Sequence, residues 1–106
     1  MNHALLVVTN LPDRASDESL ARQLVEQRLA ACVNILTGCR SVYRWQEKLE
    51  EAEEVPVLIK TTQERLDAVQ AFICAQHPYE LPEIIAVPIT AGLPDYLRWI
   101  DQQVAT

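Results

Sequence analysis

Glycine is nearly absent. With two glycines in the chain, neither a phosphate-cradling loop of the P-loop type nor a dinucleotide-binding glycine fingerprint can be assembled, and no flexible linker is present. Positive charge is also scarce. Nine Lys plus Arg stand against fifteen Asp plus Glu, a net charge of −6. That balance excludes the phosphate-neutralising surface of a nucleic-acid binder and the basic face that adheres to anionic membranes. No apolar run approaches the roughly 20 residues of a membrane-spanning helix. The opening MNHALLVVTN lacks a basic leader region and is followed by Pro12 and Asp13, so it reads as the start of a strand and not as a signal peptide. Three cysteines, Cys32, Cys39 and Cys74, are an odd number without a C-x-x-C pair. Zinc ribbons, redox dithiols and disulfide frameworks are thereby disfavoured, and free thiols in a reducing, cytoplasmic setting are expected. Catalytic signatures are missing too: no G-x-S-x-G and no H-E-x-x-H occur, and with two histidines acid–base chemistry would rest on His77 or a carboxylate. The expectation is a protein that is not an enzyme.

What is present is one ordinary globular domain spanning residues 1–106, 49 % hydrophobic and 23 % charged. ALLVVT (4–9) is a buried strand ended by Asn10 and Pro12. A helix follows near 16–30, capped by Ser16 or Asp17, with Leu20, Leu24, Val25 and Leu29 at helical spacing. CVNIL (32–36) and SVYRW (41–45) form one long strand over 32–45, with a bulge or bend at Gly38. The acidic stretch 46–54 reads as a hairpin tip and flanking strand, and a third strand runs over 48–61. Thr61 and Glu64 suggest a capping box opening a helix over 62–76, with Leu66, Val69, Phe72 and Ile73 as its apolar stripe. EIIAVPI predicts a strand over 83–89. A last helix over 94–103 starts at Pro94 and is lined by Leu97 and Ile100, with Val104 just beyond.

The order β-α-β-β-α-β plus a C-terminal helix defines the fold class: α+β, ferredoxin-like, a four-stranded antiparallel sheet with both long helices on one face. The strands do not alternate apolar with polar. Val33 and Ile35 lie on one face and Cys32 and Leu36 on the other; Ile84 and Ala86 oppose Ile85, Val87 and Ile89. Two helices cover one face only, so another copy of the chain is expected to cover the other.

RLAACVNI (28–35), S-x-Y-x-W (41–45), IKT (59–61), HPYELPEI (77–84) and YLRWI (96–100) together resemble the CutA family, small proteins named for divalent-cation tolerance. The resemblance runs over essentially the whole chain. It implies a homotrimer, a cytoplasmic setting, and a role in the response to metal ions such as copper. It also implies an architecture similar to PII signalling proteins, which hold small ligands in clefts between subunits. Some family members are linked to copper binding through a Cys at the end of the first strand and a His-His pair before Pro-Tyr. Here those positions carry Thr9 and Gln76-His77, which leaves His77 as the candidate ligand for Cu²⁺ or another divalent cation, with Glu80, Glu83 or a neighbouring subunit alongside.

The residues themselves suggest a ligand cleft formed by Trp45, Lys60, Tyr79 and Glu83. Two prolines stiffen the loop that carries Tyr79 and Glu83. Trp45 alternates with Tyr43 on one strand face, and Lys60 ends an apolar strand where it can pair with Glu83 or with an anionic ligand. The partners expected are therefore the chain itself, and either a metal ion or a small anionic ligand. Five glutamates, Glu47, Glu50, Glu51, Glu53 and Glu54, read as a solvated tip that resists edge-to-edge pairing.

Overall fold

A computed structural model describes residues 3–105. The chain runs β1 (Ala4–Leu11), α1 (Arg14–Glu26), β2 (Cys32–Ile35), β3 (Cys39–Trp45), β4 (Lys48–Thr62), a 3-10 turn (Gln63–Arg65), α2 (Leu66–Gln76), β5 (Ile84–Pro88) and α3 (Pro94–Val104). The strands form one antiparallel sheet in the order β2-β4-β1-β5, with β3 continuing the pairing along β4. This is the expected α+β arrangement, and 46–54 does form a hairpin tip and strand.

Five strands stand where four were expected, because the long second strand is broken. Ile35 pairs with Val57 and Cys39 with Glu54, so three residues (36–38) face two (55–56). That is a bulge at Gly38, one of the two interruptions expected there, and Pro56 supplies its cause. Its carbonyl accepts from the Leu36 N–H, but it has no N–H to donate in return. The bend swings the β3–β4 ribbon beyond the body of the sheet.

Helix α1 starts two residues before the expected position. Asp13, not Ser16 or Asp17, is its cap, and its carboxylate accepts from the Ser16 N–H at 2.8 Å. The helix also ends sooner than residue 30. Arg28 takes a left-handed φ of 58°, and the Leu29 and Arg28 amides bond back to the Leu24 and Val25 carbonyls, a Schellman closure. Val25 is left exposed rather than buried. The capping box at Thr61 does not form. β4 continues through Thr62, and the Thr61 hydroxyl donates to the Leu29 carbonyl at 2.7 Å instead.

The main core fills the space between α1, α2 and the sheet: Val7, Leu11, Leu20, Leu24, Val57, Ile59, Val69 and Ile73 are buried there, with Val33 and Ile84 packed against them. A smaller cluster, Ala31, Ile100 and Val104 with Ala4 and Leu97, lies under α3. The register places Leu58, Val8 and Ile85 side by side on the opposite sheet face, with Leu6 and Val87 adjacent. α3 reaches only one end of that face, and Ile85 and Val87 remain about half exposed, at 52 % and 47 %. Cys32, Cys39 and Cys74 are free thiols. Among the described residues no helix is long and apolar enough to cross a membrane.

The ribbon turns in two residues, Gln46 and Glu47, at φ 50° and 68°. Tight hairpins of this kind favour Asn-Gly because side chains resist positive φ. Glu47→Gly is therefore expected to stabilise the chain by about 1 kcal/mol, read as a shift of the urea midpoint at unchanged slope.

Candidate functional site

The C-terminal end of β1, the start of α1, the end of α2 and the start of β5 meet at one end of the sheet, where the ribbon departs. His77 closes α2 there, its N–H donating to the Ile73 carbonyl, and its ring is buried at 8 % exposure. Both ring nitrogens are engaged. The Tyr79 N–H donates to Nδ1 at 3.1 Å, and Nε2 lies 2.6 Å from the Asn10 carbonyl. A carbonyl only accepts, so Nε2 carries the proton and the imidazole is neutral. To ligate a cation this ring must give up one of the two bonds. The ring instead clamps the β1 end to the 77–83 loop, and it lies against the Tyr79 ring with centroids 4.7 Å apart and the planes tilted by 54°.

The Tyr79 phenol shares a cleft with Glu54 and feels its charge. Burial first, then the Glu54 carboxylate, then Tyr43 push the Tyr79 hydroxyl above the ordinary tyrosine range. Glu83 accepts from the Asn10 side-chain amide at 3.0 Å. A cleft of about 260 Å³ opens beside this loop, lined by Tyr43, Trp45, Tyr79, Glu80 and Leu81. An adjoining one of about 380 Å³ shares Tyr43, Tyr79 and Leu81 and adds Glu54 and Glu83. Trp45, Tyr79 and Glu83 are thus placed around two adjoining clefts.

Lys60 is not with them. It pairs across the sheet with Leu6, which sits opposite Val87, while Glu83 precedes the first residue of β5. Four residues of strand amount to roughly 13 Å, so an intrachain Lys60–Glu83 pair does not form. The Lys60 ammonium lies instead 3.5 Å from the Tyr96 hydroxyl and 5.7 Å from the centre of that ring. An apolar run ending in lysine could not reveal which end of the sheet it occupied. Sequence reasoning also missed Asn10 as the anchor of Glu83 and Glu54 as the partner of Tyr79. The signals pointing to the cleft wall were the alternation of Tyr43 with Trp45 and the proline-stiffened loop that carries Tyr79 and Glu83.

No three His, Cys, Asp or Glu side chains among the described residues converge on a metal-sized space. Thr9 is fully buried where some family members have a thiol, and its hydroxyl lacks a hydrogen-bond partner. The described residues of the chain therefore do not offer the soft ligand set that suits copper.

Fold and cleft together define a small α+β protein with one open apolar sheet face and an acidic, aromatic-walled cleft at the sheet end. Residues 5–103 match the family model of the CutA1 divalent ion tolerance protein. The chain is 42 % identical to the divalent-cation tolerance protein CutA of Pectobacterium atrosepticum over 92 % of its length and 89 % of that protein. It is 40 % identical to the chloroplastic CutA of Arabidopsis thaliana over 92 % of this chain and 53 % of that one. It superposes on the crystal structure of CutA from Xylella fastidiosa with a TM-score of 0.94 at 46 % identity, covering 97 % of this chain and 99 % of that one. The chain belongs to the CutA divalent-cation tolerance family.

Proposed function

We propose that this chain serves divalent-cation tolerance as a homotrimer, meeting cations through carboxylate oxygens at the clefts beside the β3–β4 ribbon. The carrying observation is the lining of those clefts: Glu54, Glu80 and Glu83 stand there, and no Lys, Arg or His does. Hard divalent cations take oxygen ligands. Since no subunit gathers three protein ligands among its described residues, water or a neighbouring subunit completes the shell. A small anionic ligand would meet only negative charge in these clefts. The open sheet face supports the assembly, and the resemblance to CutA proteins supports the number three. The free cysteines support a cytoplasmic location.

Calorimetric titration with Cu²⁺ and Zn²⁺ tests the reading. His77→Ala is expected to keep the wild-type heats, because its ring nitrogens are already bonded within the chain. Glu80→Gln combined with Glu83→Gln is expected to weaken binding about tenfold or more. Loss of binding in His77→Ala alone, with the glutamine variant unchanged, would overturn it.

A further inference from the structure

We propose that the aromatic part of the same cleft binds a small organic cation, an alkylammonium or quaternary ammonium group. The proposal rests on the reading that the cleft takes cations, and it names a ligand class that carboxylates alone would not select.

The argument begins with the walls. Tyr43 and Trp45 project from one face of β3 by the two-residue period of a strand, and Tyr79 comes from the loop after α2. All three line one cleft of about 260 Å³. None belongs to a core cluster, and Tyr43 and Tyr79 keep 43 % and 37 % of their surface exposed. Exposed aromatics are commonly mobile, yet Tyr79 is fixed to His77 twice, by its backbone N–H donating to Nδ1 and by the contact between the two rings. Its position is preorganised, which lowers the ordering cost of binding.

Charge selects the ligand. Glu80 lines the aromatic cleft and Glu54 and Glu83 line its neighbour. Glu54 is only 9 % exposed, so its charge is less screened by solvent than that of a surface carboxylate. Arg40 and Arg44 alternate with the cleft-facing positions on β3, and Arg40 is committed to Glu51 at 3.6 Å. Anions are repelled from such a cleft. A neutral apolar ligand would leave the carboxylates unused, and a bare divalent ion, strongly hydrated and oxygen-seeking, would leave the rings unused. A cation with a methylene or methyl surface uses both, because ring faces attract it through their quadrupole and carboxylates through charge.

The test uses the intact protein with choline as probe, and 3,3-dimethylbutan-1-ol as the probe of matching shape without the charge. Saturation-transfer NMR should show saturable choline binding in the millimolar range, and at least about tenfold weaker binding of the alcohol. Trp45→Leu should lose choline binding. Glu80→Gln, a change at an exposed position that leaves the fold alone, should weaken it several-fold while affecting the alcohol little. Equal binding of the two probes would make the cleft merely apolar and overturn the proposal, as would the absence of saturable choline binding. Cu²⁺ titration of the same sample separates the two readings. Heats with Cu²⁺ but no choline binding would sink the organic cation and leave the oxygen-ligand reading standing. Charge-selective choline binding without Cu²⁺ heats would do the reverse.

Discussion

Replacing Asp17 by Asn is expected to make the protein more stable at pH 8 and to leave it nearly unchanged near pH 4. Asp17 lies in the first turn of α1, fully buried, and neither of its carboxylate oxygens has a hydrogen-bond partner. Burial first and the neighbouring Asp13 second raise its pKa from 3.8 to about 7, against the opposing pull of Arg14. The positive end of the helix dipole favours an anion there by about 0.3–1 kcal/mol. Desolvation of an unpaired carboxylate is the larger effect. The unfolded chain releases this proton near pH 3.8 and the folded chain only near 7, so between those values the folded state binds more protons. The contribution is complete below the lower value and is lost as pH rises through the upper one. A shift of this size corresponds to at most about 4 kcal/mol at pH 8, and Asn removes the charge while keeping the shape. Denaturant unfolding at fixed protomer concentration from pH 4 to 8 measures it. Parallel curves for the two proteins would show that Asp17 titrates normally.

The second large effect concerns the open sheet face. Wild-type protein is expected to scatter light as a species of about 36 kDa, three times the 12.0 kDa chain, and Ile85→Asp or Val87→Asp should abolish that species. Both side chains are half exposed in the isolated subunit. A charge at such a position on a monomer would cost no more than about 0.5 kcal/mol. If instead three faces close on one another, the charge is buried in an apolar interface formed with Leu6, Val8 and Leu58. Each wetted side chain of this kind forgoes about 1.5–3 kcal/mol, against a total stability of about 5–15 kcal/mol for a typical domain. Dissociation with unfolding or aggregation is then the expected outcome. Val33→Asp and Ile35→Asp probe something else, because these residues lie on the helix-covered face. An unchanged 36 kDa species in Ile85→Asp would remove this face from the assembly, and a folded 12 kDa wild type would remove the assembly itself.

The order of strands and helices was legible because each element carries its own period and punctuation: Pro12 after β1, Pro78 after α2, Pro94 at the start of α3. The doubly apolar strands also revealed the uncovered face. Features that depend on contacts between distant segments were not legible. Ser16, Asp17 and Asp13 are all competent caps, and which one acts depends on where the chain leaves β1. Thr61 satisfies a local capping pattern, yet the Leu29 carbonyl brought beside it wins its hydroxyl. At the cleft, Tyr43 with Trp45 could be paired by alternation, and Tyr79 and Glu83 stood out in a stiff loop. Nothing local could say that both ring nitrogens of His77 would be taken by Asn10 and Tyr79, or that Lys60 would lie near Tyr96.

β4 is the strand on which the order of folding depends. Its first half pairs with β3 across a two-residue turn, while its second half pairs with β2, which continues the ribbon, and with β1, which comes from much earlier in the chain. Isolated hairpins close in about 1–10 μs, whereas long-range pairings wait on the closure of large loops. The ribbon can therefore form early and alone, and the β1–β4 ladder must follow. The cleft takes Tyr43 and Trp45 from the ribbon and Tyr79 and Glu83 from a loop that is placed only after β5 docks on β1. Its walls meet last, so the time at which a cleft probe first registers during refolding should report completion of the whole sheet.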